Sequence, residues 1–156
     1  MAAEGLFTLD FPARMPVATS VPENLLACLG VTNVVDVLRS RDYFVVLPNE
    51  EAVQNAEPEF NLMKSLVTIG VIITAKGLSA DVVSRCFYPG AGIQEDPVTG
   101  SAHCNIIPYW SQKLGTTKIV AKQLSARGGE LQCELSGDRV LMSGKCVLYL
   151  KGEIYL

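Results

Sequence analysis

The chain has 156 residues, of which 49% are hydrophobic and 19% charged, and its formal net charge is −3. This composition is typical of a globular domain and excludes a disordered or collagen-like chain. The mild negative charge, with no cluster of Lys and Arg, argues against a nucleic-acid partner or an anionic membrane surface.

Residues 1–156 are predicted to form a single domain, because no linker, internal repeat or low-complexity segment interrupts them. No apolar run approaches the roughly 20 residues that a membrane-spanning helix needs, and the first 16 residues lack the pattern of a signal peptide. We therefore expect a cytoplasmic protein. Five scattered cysteines without a C-x-x-C pair favour free thiols over a disulfide framework. With His103 as the single histidine, the sequence gives no reason to invoke a metal, a nucleotide or pyridoxal phosphate.

The first half of the chain predicts mainly strands, with two helical segments between them. Strand composition is found, in chain order, at Leu6–Phe11, 31–38, 43–47, Val67–Ala75 and Asp81–Tyr88. The run Val67–Ala75 is fully apolar, which is typical of a buried strand. Helix is predicted at Pro22–Leu29, with Gly30 as its stop, and within residues 49–66, where Pro58 breaks the pattern.

The second half begins with a segment, Ser101–Leu114, that is apolar on nearly every side and therefore predicts a buried helix. Pro108 removes the hydrogen bond to the Cys104 carbonyl, so a kink or break is expected there. Glycine-containing gaps then separate alternating runs, which predict a meander of strands at 118–127, 130–136, 139–143, 145–150 and 153–156. The fold class inferred is α+β, with a curved, mostly antiparallel sheet wrapped around one central buried helix.

Between the last strand of the first half and the buried helix lies the loop Glu95-Asp96-Pro97-Val98-Thr99-Gly100-Ser101-Ala102-His103. It is expected to deliver two adjacent carboxylates to the helix start, where backbone N–H groups lack acceptors and carry the positive end of the dipole. Gly100 allows close approach of a ligand and Ser101 adds a hydroxyl, which suits a carboxylate or a phosphate. Asp96 beside such a site is a candidate general acid or base.

Each of these residues also has a structural interpretation. An Asp or Thr just before a helix is most often a simple N-cap, and the residue pattern alone favours capping over catalysis for Asp96. His103 is expected to be a structural histidine, and Cys104 a small buried apolar residue. A tight hairpin turn explains Arg127–Glu130 without any ligand.

A longer series of motifs accompanies the loop: Pro108-Tyr109-Trp110, Leu114-Gly115, Gln123-Leu124-Ser125-Ala126-Arg127-Gly128-Gly129, Val140-Leu141-Met142-Ser143-Gly144-Lys145 and Gly152. In this order and spacing, together with the loop, they resemble the phenazine-biosynthesis PhzF-like family. The resemblance implies a diaminopimelate epimerase-like fold. In that fold each of two lobes is a sheet around a central helix, and the active site lies in the cleft between them.

Members of that family are associated with isomerisation by proton transfer at a carbon next to a carboxylate. Matched by position, the resemblance implies that Asp96 is the catalytic acidic residue of the second lobe. It also implies that Gly100 and Ser101, with Thr99, bind the carboxylate of a small substrate. Cysteine-dependent racemases of the same fold carry a Cys where Thr99 stands, so the resemblance does not extend to a two-thiol mechanism.

A full member of the family has roughly twice this length, and its first lobe supplies a glutamate and a Gly-His motif that have no match here. The chain therefore resembles an isolated C-terminal lobe that supplies one half of an isomerase active site. Its partner would be a separately encoded first lobe or a second copy in a homodimer. The alternatives are a catalytically inactive, truncated homologue that acts as a binding or self-association module, and a fragment of a longer protein.

Overall fold

The computed structural model describes residues 5–154. Its helices are α1 (Glu50–Gln54), α2 (Phe60–Met63) and α3 (Gly100–Leu114). Its strands are β1 (Leu6–Pro12), β2 (Val17–Ala18), β3 (Asp36–Arg39), β4 (Tyr43–Val46), β5 (Val71–Lys76), β6 (Val82–Tyr88), β7 (Ile93–Glu95), β8 (Lys118–Gln123), β9 (Gly129–Ser136) and β10 (Arg139–Lys145). Short 3-10 turns occupy Ala27–Leu29 and Pro89–Ala91.

All the strands join one open sheet in the order β1-β10-β9-β8-β6-β5-β4-β3-β2, and β7 pairs with β6 beside this path. Two pairs, β4 with β5 and β6 with β8, are parallel. The other pairs are antiparallel. The predicted α+β class with a mostly antiparallel sheet is therefore confirmed.

Helix α3 is buried along most of its length, since every residue from Ala102 to Ser111 is inaccessible to solvent or nearly so. It packs against β8, β9 and β10. The helix continues through Pro108, so the predicted break does not occur. The Cys104 carbonyl, which Pro108 cannot satisfy, accepts a hydrogen bond of 2.8 Å from the backbone N–H of Arg14. The segment after β1 thus supplies the donor that the proline removes.

A second apolar core lies on the other face of the sheet, which the sequence analysis did not predict. Side chains alternate along β5, so that Ile72 packs in the core of α3 while Ile73 packs in the second core. The second core also receives Leu25 and Val53 from segments with little regular helix. Helices α1 and α2 have only five and four residues. Such short helices show too little hydrophobic periodicity for the sequence to predict a packed layer.

Several of the predicted elements are shorter than expected, among them the strand predicted at 31–38, which is found only as β3 from Asp36 to Arg39. The strand predicted at Val67–Ala75 begins only at Val71, because β4 offers its first parallel partner there. Val67 is 86% exposed, and the residues before the strand form a turn. The helix predicted at Pro22–Leu29 is a turn followed by a single 3-10 segment, which ends at Gly30 in the left-handed conformation as predicted (φ 66°).

The predicted strands at the end of the chain are wrong over the described residues. Strand β10 ends at Lys145, and residues 146–154 form no strand. Their apolar side chains are largely exposed, among them Tyr149 at 99%, so the alternating pattern there has no sheet partner to pair with. The last part of the final predicted strand, Tyr155 and Leu156, lies outside the described residues. Within residues 5–154 no helix is long and apolar enough to cross a membrane.

Candidate active site

The two adjacent carboxylates of the loop point to different places. Glu95 closes β7 and makes a bidentate ion pair with Arg85, with Nε–Oε1 and Nη2–Oε2 distances of 2.7 and 3.1 Å. The Nη1 atom of Arg85 also donates to backbone carbonyls at the end of α1, including that of Ala56 at 2.8 Å. The expectation that both carboxylates reach the start of α3 is therefore wrong for Glu95. It belongs to a structural clamp between β6, β7 and α1.

Asp96, by contrast, is held at the start of α3 by its neighbours. The Thr99 hydroxyl donates to Asp96 Oδ2 at 2.7 Å. Behind it, the buried Gln123 side chain donates from Nε2 to the Asp96 carbonyl at 2.6 Å and to Thr99 Oγ1 at 3.0 Å. Gln123 Oε1 accepts from the Thr99 backbone N–H at 2.9 Å. One amide side chain at the end of β8 therefore fixes both the backbone and the hydroxyl of the loop.

This arrangement fixes the direction of the hydrogen bonds as well as their partners. Because Gln123 donates to Thr99 Oγ1, the single hydroxyl proton of Thr99 is left to be donated to Asp96. The carboxylate of Asp96 then accepts through Oδ2, while Oδ1 has no hydrogen-bond partner within residues 5–154. A carboxylate oriented through one oxygen and free at the other is suited to accept or deliver a proton.

The first turn of α3 has no side-chain cap. Its N-cap residue is Thr99, whose hydroxyl is used by Asp96 and not by the helix. Across residues 5–154, the backbone N–H groups of Gly100 and Ser101 have no acceptor. Asp96 is therefore not the N-cap that its position suggested. The uncapped N–H groups and the helix dipole together favour an anion at this place.

The turn between β8 and β9 holds the other side of the loop. Ser125 Oγ donates to the Pro97 carbonyl at 2.8 Å and accepts from the Gly128 N–H at 3.1 Å. A Cβ atom at Gly129 would overlap the side chain of Val98. The missing side chain of the glycine therefore lets these two segments of the chain touch. A cavity of about 660 Å³ opens here, and Val98, Gly100 and the Gly128–Glu130 turn are among its lining residues.

His103 and Cys104 occupy the structural positions that the sequence predicts for them. His103 is completely buried, and its Nδ1 lies 2.7 Å from the Thr99 carbonyl, which requires the tautomer protonated at Nδ1. Burial lowers the pKa of His103 below its usual 6.5, so the ring is neutral. Burial also raises the pKa of the Cys104 thiol, which keeps it protonated and a poor nucleophile.

Comparison with known proteins agrees with this fold. The sequence profile of the PhzC-PhzF family, whose description is phenazine biosynthesis-like protein, matches residues 4–152. The chain belongs to this family. It is 50% identical over 149 residues to one uncharacterized isomerase of Pseudomonas aeruginosa and 44% identical over 148 residues to another. Each of these alignments covers 95% of the chain and 57% of the relative.

A solved structure of a PhzF-family protein from Enterococcus faecalis superposes with a TM-score of 0.90 at 44% identity. It covers 99% of the chain, and the chain covers 60% of it. The chain therefore spans somewhat more than half of the length of these members of the PhzF family.

Asp96, Thr99, Gly100 and Ser101 are predicted to lie on one loop, and the structure brings them together at the start of α3. No role is predicted for Gln123 from the sequence, although a signal is present. Ile119 and Ala121 alternate as inward-facing residues of β8, and Gln123 continues that inward series. A polar side chain at an inward position of a strand predicts a buried hydrogen-bonding role.

Replacing Gln123 with Met is expected to lower the free energy of unfolding by about 3 kcal/mol, because the Thr99 N–H and the Asp96 carbonyl lose their buried partner. Denaturant unfolding followed by circular dichroism measures this. The matched control is Gln132→Met on the exposed side of β9, expected to change stability by less than about 0.5 kcal/mol. Equal effects of the two substitutions would contradict the assigned role of Gln123.

Stability is expected to depend on pH through His103, the single histidine of the chain. Burial lowers the folded-state pKa of His103 below its unfolded value of 6.5, so protonation favours the unfolded chain. The stability that the neutral ring of His103 contributes is fully present above pH 6.5. As the pH falls from there towards the folded-state pKa, the free energy of unfolding decreases by up to about 1.4 kcal/mol per pH unit. When the pH is lowered from 8 to 5, the free energy of unfolding should decrease less for His103→Asn, which keeps a donor for the Thr99 carbonyl, than for the unmodified chain. Equal pH dependence of the two proteins would show that it does not arise from His103.

Proposed function

We propose that the chain supplies one half of the active site of an isomerase that moves a proton on a small, carboxylate-bearing substrate. In this proposal Asp96 is the acid or base, and Thr99, Gly100 and Ser101 form the wall that binds the carboxylate. The observation that carries it is the oriented carboxylate of Asp96, held by Thr99 and Gln123 next to a helix start without a cap. The names of the Pseudomonas aeruginosa relatives as isomerases support the same reaction class.

The Asp96 carboxylate and the uncapped start of α3 would act on the same substrate. A substrate carboxylate at the N–H groups of Gly100 and Ser101 would be bound by hydrogen bonds and by the positive end of the α3 dipole. When a proton leaves the neighbouring carbon, negative charge spreads onto the carboxylate, and preorganised donors stabilise that charge more than the ground state. The nearby Asp96 Oδ1 would take up the proton and return it at another position.

We also propose that the active site has a second wall, which Asp96, Thr99, Gly100 and Ser101 do not form. Strand β1 carries Phe7 and Leu9 beside the cavity, and these side chains are 62% and 57% exposed. Exposed apolar surface next to a polar site is typical of an interface. We propose that a first lobe like that of the longer relatives covers it, or else a second copy of the chain. A single acid–base group cannot easily take a proton from one face of a carbon and deliver it to the other, so the covering wall would supply the second.

The direct test is deuterium incorporation. The chain, alone and mixed with the first lobe of a relative, is incubated in deuterated water with candidate α-amino and 2,3-unsaturated acids, and label is followed by mass spectrometry. Incorporation is expected with at least one acid, and Asp96→Asn should lower its rate by two orders of magnitude or more. Asp138→Asn, in the exposed turn between β9 and β10, is the matched control and should leave the rate unchanged.

Incorporation that survives Asp96→Asn would exclude Asp96 as the acid or base. No incorporation with any acid and any covering lobe would instead favour the second hypothesis, in which the chain keeps the carboxylate site as a binding or self-association module without chemistry.

A further inference from the structure

An arginine outside the loop Glu95–His103 also reaches the start of α3. Arg41 lies in the turn between β3 and β4, and its Nη2 donates to Ser101 Oγ at 3.1 Å. The same guanidinium grips the neighbouring carboxylate of Asp42, with Nε–Oδ1 and Nη2–Oδ2 distances of 3.3 and 3.0 Å. A residue sixty positions before Ser101 in the sequence therefore contacts the hydroxyl expected to bind the substrate.

Burial differs sharply between the two partners of this ion pair. The Asp42 side chain is 1% exposed, whereas that of Arg41 is 36% exposed. A buried carboxylate must be paired, so Asp42 fixes the guanidinium in one orientation. Hydrogen bonds to Asp42 and Ser101 occupy Nε and Nη2, while Nη1 of Arg41 makes no hydrogen bond within residues 5–154, although the Tyr88 side chain interacts with the guanidinium. Two fixed N–H donors therefore remain available to a ligand.

The Tyr88 hydroxyl is a second, independent observation at this place. Tyr88 is only 6% exposed, and its hydroxyl oxygen is one of the buried side-chain atoms without a hydrogen-bond partner within residues 5–154. The Ser101 hydroxyl and the Arg41 guanidinium are its polar neighbours, and burial raises the pKa of Tyr88 well above the usual range, so it remains a neutral donor. An unpaired buried donor is costly and uncommon, and an anionic oxygen at Ser101 would supply the missing acceptor.

The tyrosine is also held in a place made for it. Its ring lies against Gly70, where a Cβ atom would overlap the ring carbons. Tyr88 and Cys86 point to the same side of β6 as the core of α3. The hydroxyl is thus fixed by packing at the polar end of that core, and not turned there by a flexible side chain.

We propose that Arg41 is a specificity-determining residue, which selects a ligand with an anionic oxygen over a neutral one at the first turn of α3. The inference rests on the proposed function for the identity of the anion, a carboxylate. Arg41 contributes in two ways. It offers the donors of Nη1, and it donates into Ser101 Oγ, so that the Ser101 proton is directed to another acceptor. The competing explanation is that Arg41 only ties the β3–β4 turn to α3.

Binding of a matched pair of probes separates these explanations. The ¹⁵N-labelled chain is titrated with anthranilate, and separately with anthranilamide, which has the same ring but a neutral amide in place of the carboxylate. Chemical-shift changes at the amides of Gly100, Ser101 and Ala102 report the site. We expect anthranilate to bind about tenfold or more tightly than anthranilamide, the ratio that one charge-assisted hydrogen bond supplies.

Arg41→Lys keeps the charge that Asp42 needs but loses the fork that contacts Asp42 and Ser101 together. It is expected to weaken anthranilate binding about tenfold and to leave anthranilamide unchanged, a selective loss that mere tethering of a turn would not produce. Arg41→Gln should weaken anthranilate binding at least as much and leave only the preference that the helix start itself supplies. Lys113→Gln, which removes one charge at the opposite end of α3, is the control and should preserve the full preference. Should Arg41→Gln fail to fold, Arg41→Lys and Ser101→Ala make the same comparison.

The inference is overturned if Arg41→Lys binds anthranilate like the unmodified chain, or if both probes bind equally. It is also overturned if anthranilate shifts no amide in the first turn of α3. Deuterium incorporation is measured separately, so the two proposals fail separately. If anthranilate binding depends on Arg41 but no deuterium is incorporated, the proposed isomerase chemistry is wrong and the anion site stands. If deuterium is incorporated but anthranilate binding does not depend on Arg41, the isomerase chemistry stands and the role of Arg41 is wrong.

Discussion

The candidate site depends above all on the buried amide of Gln123. Its three hydrogen bonds hold residues 96–99, which contain a proline and no regular secondary structure. An amide is suited to this because it donates and accepts at once, so it satisfies a backbone N–H and a carbonyl while directing the Thr99 hydroxyl. The position of Asp96 is thus set by β8, a strand that joins the loop only in three dimensions.

The sheet order explains how these distant segments meet. Strand β6, which leads into the loop, pairs in parallel with β8, and Ser84 lies opposite Gln123 in that register. Strand β7 runs back along β6, and the Asp96 N–H donates to the Cys86 carbonyl at 2.9 Å, so the residues after β7 and the end of β8 share one edge of the structure. Helix α3 starts at the same edge and then enters the core. Its uncapped N–H groups leave out stabilisation of about 1 kcal/mol that a capping side chain gives, as is common where a structure is arranged for binding.

Much of this was predictable from local pattern. The buried helix was found one residue from its predicted start, because an apolar segment without a polar face has few alternatives. The glycine-separated strands β8, β9 and β10 follow their turn signals. The predictions failed where the structure of a segment depends on its partners in space. Val67 and residues 146–154 have strand composition but no neighbouring strand, and Glu95 was misplaced because Arg85 and α1 bind it.

The site was predictable only in part, for a related reason. Asp96, Thr99, Gly100 and Ser101 are contiguous, so one loop motif finds them together. Gln123 and Arg41 enter the site through strand pairing and a hairpin turn, and no spacing in the sequence brings them to α3. For Asp96, the local rule that an Asp before a helix is a cap gave the wrong partner, because the Thr99 hydroxyl reaches its carboxylate first.

The most direct test of the account is amide hydrogen exchange at three consecutive residues, Thr99, Gly100 and Ser101, followed by NMR in the unmodified chain. The Thr99 N–H donates to a buried oxygen of Gln123, whereas those of Gly100 and Ser101 have no acceptor in the described structure. The account predicts slow exchange at Thr99, close to the rate of the core strands, and fast exchange at the next two residues. Fast exchange at Thr99, or protection at Gly100 and Ser101, would contradict both the loop clamp and the open helix start.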